Sequence, residues 1–168
     1  MSSQPEPWLR GPIPGVHPIA AAMLHAVQQA REDLAAWTEG LSDADLWATP
    51  VAGIEPAGFQ MRHIAGSIER LITYLQGRQL SEEQLAELKR ENEPGASREQ
   101  LLAVLENRFE LARSVVSAID PQTWYDPRTV GRKQLPTTVG GLVTHIAEHT
   151  QRHVGEAIIT IKLVRALK

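Results

Sequence analysis

Three histidines, His145, His149 and His153, stand four residues apart in the stretch THIAEHTQRHVGEA, and the whole chain has only 6 histidines. An α-helical residue turns by about 100°, so each step of four advances by only about 40° and the three lie along one side of a helix. Imidazoles one turn apart can chelate a single ion, as they do in HExxH helices. The competing reading is a set of hydrogen-bonded core histidines. Ala157, Leu163 and Leu167 fall on the same side, which predicts that the stripe faces the core. Buried imidazole is costly there unless its nitrogens find partners.

A second histidine sits in a similar setting. RHIAGSIERLITYL, from Arg62 to Leu75, resembles THIAEHTQRHVGEAI, from Thr144 to Ile158. Both contain His-Ile-Ala, and both follow a loop with Gly and Pro. If the two helices face one another, His63 adds an imidazole from across the core, and bundles commonly build metal sites from facing helices.

The elements that must position these residues are helical. Ile19, Met23, Val27, Ala30, Leu34 and Trp37 recur at steps of three or four, predicting a helix over 18–37 that stops before Gly40. A second helix is expected over 59–76, with His63, Ser67, Leu71 and Tyr74 on one face. Ser81 to Gln84 and Ser97 to Gln100 are capping boxes. They open a short helix near 81–91 and a long one with Leu101, Leu105, Ala112, Val116 and Ile119 inward. The last helix is expected from about Thr137 to about Leu167. One short turn is expected after Ser42, and the 120–136 loop is expected to be irregular or extended. No segment shows sustained period-two alternation. The fold class is therefore all-α: a four-helix bundle with one short extra helix. Residues 1–16, rich in Pro and Gly, form an irregular arm that Trp8 would pin to the body, and 17–168 form one domain.

Composition narrows the function classes. Hydrophobic residues make up 42% and charged residues 22% of 168 positions, with net charge -3, the profile of a globular chain. There is no basic run with interleaved aromatics, so nucleic acid is not an expected partner. There is no cysteine, which excludes thiolate zinc sites, disulfides and a cysteine nucleophile. The N-terminal stretch lacks the apolar run of a secretory signal, and no segment approaches the roughly 20 apolar residues of a membrane span. A cytoplasmic location follows as the default expectation. The oligomeric state is left open by the sequence, a homodimer through an outer helix face being common for bundles of this kind.

A histidine early in the second helix, followed about 85 residues later by H-x-x-x-H-x-x-x-H-x-G-[QE], resembles the pattern of the DinB-like superfamily. That superfamily includes YfiT-like metal-dependent hydrolases and thiol-dependent transferases. The resemblance covers about residues 18–166. It implies a four-helix bundle whose three histidines bind a divalent metal, with zinc and nickel the leading candidates. Carried over, the ligands are His63, His149 and His153, and Gly155 fits the motif's glycine. Glu156 stands where the family usually has Gln. It is a candidate to orient a ligand or act as a base, or it is an acid at the surface edge. His145 is the extra member: it can support a ligand from behind, ligate, or line the pocket, and lining is favoured.

Three neutral imidazoles leave a divalent ion an open position. Zinc held this way lowers the pKa of its water toward about 7 for hydrolysis, and the resemblance implies thiol activation as the alternative. The expected partner is a small-molecule substrate or thiol. The opposing reading is a non-catalytic metal-binding or stress-response module. Ser67, Arg70 and Tyr74 lie roughly on the His63 side and read as bundle contacts. His25 reads as solvated and His17 as structural.

Overall fold

The computed structural model describes residues 4–168; the first three residues of the expected arm lie outside the described region. Four long helices carry the fold: α1 (Pro18–Trp37), α3 (Ala57–Leu75), α5 (Arg98–Ser117) and α6 (Val139–Ala166). Two short ones, α2 (Asp43–Leu46) and α4 (Glu82–Lys89), lie in the connections. Among the long helices, α3 packs on α6 and α5, and α1 packs on α6 and α5. The bundle thus runs α1, α6, α3, α5 around its axis, and α3 directly faces the histidine helix.

Local signals explain the helix starts. Ser42, Ser81 and Ser97 each close a capping box with the residue three positions on, satisfying otherwise orphaned N–H groups at α2, α4 and α5. Thr138 caps α6 by accepting from Gly141 N–H. His17 is structural: its Nδ1 accepts from Ile19 N–H at the start of α1, and its ring lies 4.7 Å from that of Trp124. The α1 C-terminus is held by arginines, Arg98 donating to the Ala35 carbonyl and Arg165 to those of Trp37 and Glu39.

The core takes Met23, Leu34, Met61, Ile64, Ile68, Leu105, Phe109, Ile146 and Ile161, each at most 2% exposed. Each such side chain contributes about 1.5–3 kcal/mol by leaving water. Ile19 does not join them: at 44% exposed it lies at the outer edge of the first turn of α1.

The 120–136 stretch is more ordered than an irregular loop. Pro127–Val130 (β1) pairs antiparallel with Leu135–Thr138 (β2), Val130 opposite Leu135. Each strand has four residues and includes a proline, too short and too broken to show alternation. The turn uses positive φ at Gly131 (70°) and Gln134 (50°). This hairpin feeds directly into the cap of α6, and Arg128 anchors it by donating to the Leu75 carbonyl at the end of α3.

The arm contains a 3-10 turn at Pro7–Leu9. Trp8 does not pin it: the indole is 63% exposed and donates to Glu6. Pro7 is the buried contact, and Arg10 grips Glu32 on α1 through two hydrogen bonds of 2.6 and 2.7 Å. No helix of the described residues is long and apolar enough to cross a membrane.

Candidate metal centre

Helices α3 and α6 bring His63, His149 and His153 together. Each offers a ring nitrogen within 4.8 Å of the others'. His63 Nε2 and His149 Nε2 are 3.1 Å apart, and the His153 ring centroid lies 4.4 Å from that of His63 and 4.5 Å from that of His149. All three are half-buried.

His145 stays outside this group. Its side chain is 46% exposed, and its Nδ1 pairs with Glu148 at 2.6 Å. Its ring still lies 5.2 Å from that of His149, at the margin of the cluster. The stripe therefore does not face the core along its length. Helical geometry gives the reason. Buried Ile146, Ala157 and Val164 lie about 100–120° around the helix from His145, so successive histidines swing from the outer surface to the core boundary. Leu163 is half-buried and Leu167 is 67% exposed at the helix end.

The groups behind the imidazoles fix which nitrogens are free. His63 Nδ1 is 2.7 Å from a carboxylate oxygen of Glu91, which can only accept, so Nδ1 carries a proton and, in the neutral ring, Nε2 keeps its lone pair. Glu91 is 4% exposed and also accepts from Arg70 at 2.7 Å. His153 Nδ1 donates to the buried Gln60 at 2.7 Å and lies 3.1 Å from Glu156. This again leaves Nε2 free. His149 Nδ1 is buried with no partner among the described residues, and with His63 Nε2 as the acceptor of the 3.1 Å contact, the metal-free His149 ring donates from Nε2.

The electrostatics favour the neutral form of the two α6 rings. Burial, then the neighbouring His153 and His63, push the His149 imidazole down to about 4. Burial, then His63, lower His153 as well, with Glu156 opposing. Neutral imidazole is the ligating form. Three imidazoles whose ring nitrogens converge within 4.8 Å fit a divalent ion of the kind that accepts imidazole, which would take the place of the proton shared between His63 and His149.

Glu156 lies behind His153. Its carboxylate, 49% exposed, meets Nδ1 rather than the free Nε2, a position suited to orienting the ring. Ser67 is spent on the backbone, donating to the Ile64 carbonyl. Gln60 and Glu91 escaped the sequence reading. Gln60 lies one turn before His63 on α3, a spacing that could have suggested it, whereas Glu91 sits on the α4–α5 loop and carried no periodic signal.

A cavity of about 690 Å³ lies away from the histidines. It lies between α3 and the α4–α5 segment, walled by Met61, Leu101, Val104, Arg108 and Glu91. The convergence of ligating atoms, not cavity size, marks the candidate centre, and Glu91 is the residue the two share.

No curated protein matches the sequence. A solved structure, that of a conserved protein from Enterococcus faecalis, superposes with a TM-score of 0.72 at 16% identity, over 86% of this chain and 95% of that one. At that identity the likeness speaks to the fold. The family model described as the DinB superfamily matches residues 26–157, which include all three converging histidines, the whole of α3 and the histidine-bearing part of α6. The chain belongs to the DinB superfamily.

Proposed function

We propose that the protein is a divalent-metal-dependent enzyme acting on a small molecule, by hydrolysis or by thiol-dependent transfer, with His63, His149 and His153 as the metal ligands. The observation that carries this reading is the placement of three ligating nitrogens within 4.8 Å of one another from two facing helices. His145, turned out to Glu148, supplies no fourth nitrogen, so the donor set leaves room for an exogenous ligand. That favours catalysis over a closed structural site.

A divalent ion held there would supply Lewis acidity and lower the pKa of a water or thiol in its open position. The chain's own residues do the rest. Glu91 and Gln60 hold the outer edges of His63 and His153. The rings of His63 and His153 keep 18% and 14% of their surface exposed, which leaves the cluster reachable by a small molecule. Zinc and nickel both suit imidazole donors. The three neutral ligands leave the ion's charge uncompensated, so an anionic group such as a thiolate or carboxylate is the expected guest.

The test uses untagged protein. Elemental analysis should find one divalent ion per chain. The cobalt-substituted protein, titrated with small thiols and carboxylates, should change its visible spectrum. A metal-loaded protein whose spectrum never responds would make the ion structural and remove the enzymatic reading.

A further inference from the structure

The edge of His63 opposite the proposed ion is held by a construction that joins three segments. Glu91 follows α4 by two residues, is 4% exposed, and places one oxygen 2.7 Å from His63 Nδ1. Its other oxygen accepts from Arg70 Nη1 at 2.7 Å, and Arg70 is itself 9% exposed. Room for this pair exists because residue 66 has no side chain. A Cβ on Gly66 would lie 2.6 Å from both Arg70 Nη1 and Glu91 Oε1. The loop that carries Glu91 is tied down separately. Arg62 donates to the carbonyls of Arg90, Glu91 and Glu93, and its guanidinium lies 4.8 Å over the Trp47 ring.

A buried ion pair is a poor device for stability, since apolar residues of similar volume often serve as well or better. A buried acid, clamped by a buried base and aimed at one ring nitrogen, has a different use. The other two histidines lack an equivalent: His149 Nδ1 has no partner among the described residues, and His153 leans on a neutral amide and an exposed acid.

We infer that Glu91, clamped by Arg70, is a positioning residue of the metal centre: it holds His63 as the Nδ1–H tautomer and aims the Nε2 lone pair at the ion. The inference rests on the three-histidine reading above. A carboxylate behind a ligating histidine fixes the ring's orientation and raises its basicity, and loss of such a partner typically costs about 10- to 100-fold in metal affinity.

The experiment measures zinc affinity by chelator competition on the full untagged chain, with histidine ¹H–¹⁵N correlation spectra as an independent readout. Arg70→Met/Glu91→Leu removes the whole pair without stranding a charge, and should weaken zinc roughly 10- to 100-fold. Glu91→Gln keeps an acceptor oxygen and should lose less. Glu69→Gln, on the same cavity wall but paired with Arg108, should bind zinc as the wild type does. The zinc-free wild type should show His63 protonated at Nδ1. Wild-type zinc affinity in Glu91→Gln, or in the folded double variant, overturns the inference, as does a His63 proton on Nε2. If the wild type takes up no zinc or other divalent ion, the three-histidine reading itself fails and the positioning role falls with it.

Discussion

His63 Nε2 and His149 Nε2 lie 3.1 Å apart on facing helices, and Glu91 holds the His63 proton on the far side of its ring. The lone pair of His63 is thus directed at His149, while His153 supplies a third ring nitrogen nearby. Removing either partner of the close pair should abolish stoichiometric metal. His63→Ala and His149→Ala should fall to trace content by elemental analysis. His25→Ala should keep its metal, and so should His145→Ala, because His145 is turned to Glu148. Equal retention in all four variants would refute the ligand set.

Acid sensitivity of the metal-free protein should have a specific window. His149 moves from an ordinary 6.5 to about 4 because burial and its histidine neighbours oppose the charged form. Between those values the unfolded chain binds more protons than the folded one, so stability falls as pH drops from about 6.5 to about 4. His153 shifts in the same direction. Denaturant midpoints should decline across that window, and His149→Asn should flatten part of the decline. A midpoint that stays level in the wild type would contradict the burial argument. The same shift bears on metal release. Proton competition for an ordinary histidine sets in near 6.5, whereas here metal retention somewhat below pH 6 is compatible with imidazole ligands.

The sequence carried the bundle because its helices advertise themselves. Capping boxes at Ser81 and Ser97 and the apolar period of α1 mark boundaries that the structure reproduces within a residue or two. The β1–β2 hairpin stayed hidden because four-residue strands have no room for alternation. The three converging histidines were legible from spacing, the His-Ile-Ala repeat and family resemblance together. Their supports were not. Glu91 reaches His63 across 28 positions and Gln60 reaches His153 across 93, and contacts of that range leave no periodic trace. The stripe departs from the inward direction for a simpler reason. A four-residue step drifts by about 40°, enough over two steps to carry one end out to solvent.

Removing the metal should lower thermal stability. An ion that binds only the folded chain stabilises it by mass action, about 2.7 kcal/mol when free metal is about one hundred times its dissociation constant. Because the proposed ligands bridge α3 and α6, the effect should appear as a shift of the whole transition rather than as local fraying. Calorimetry before and after exhaustive chelation checks this. Superimposable transitions would mean that the ion, if bound, does nothing for the fold.

Gly155 offers a test of what lies outside the histidine helix. It sits inside α6, two residues after His153, and a Cβ built there meets nothing within 4 Å. Its φ is not among the positive ones, so the backbone gives no reason for glycine. Glycine within a helix is less favourable than alanine by roughly 0.5–1 kcal/mol. Gly155→Ala should therefore raise stability by about that amount and leave metal content unchanged. A loss of stability would show that something packs on this face in solution, and a second copy of the chain is the first candidate, to be checked by sedimentation. A gain in stability combined with a weaker thiol response of the cobalt-substituted protein would locate the glycine's purpose in leaving space for the guest beside His153.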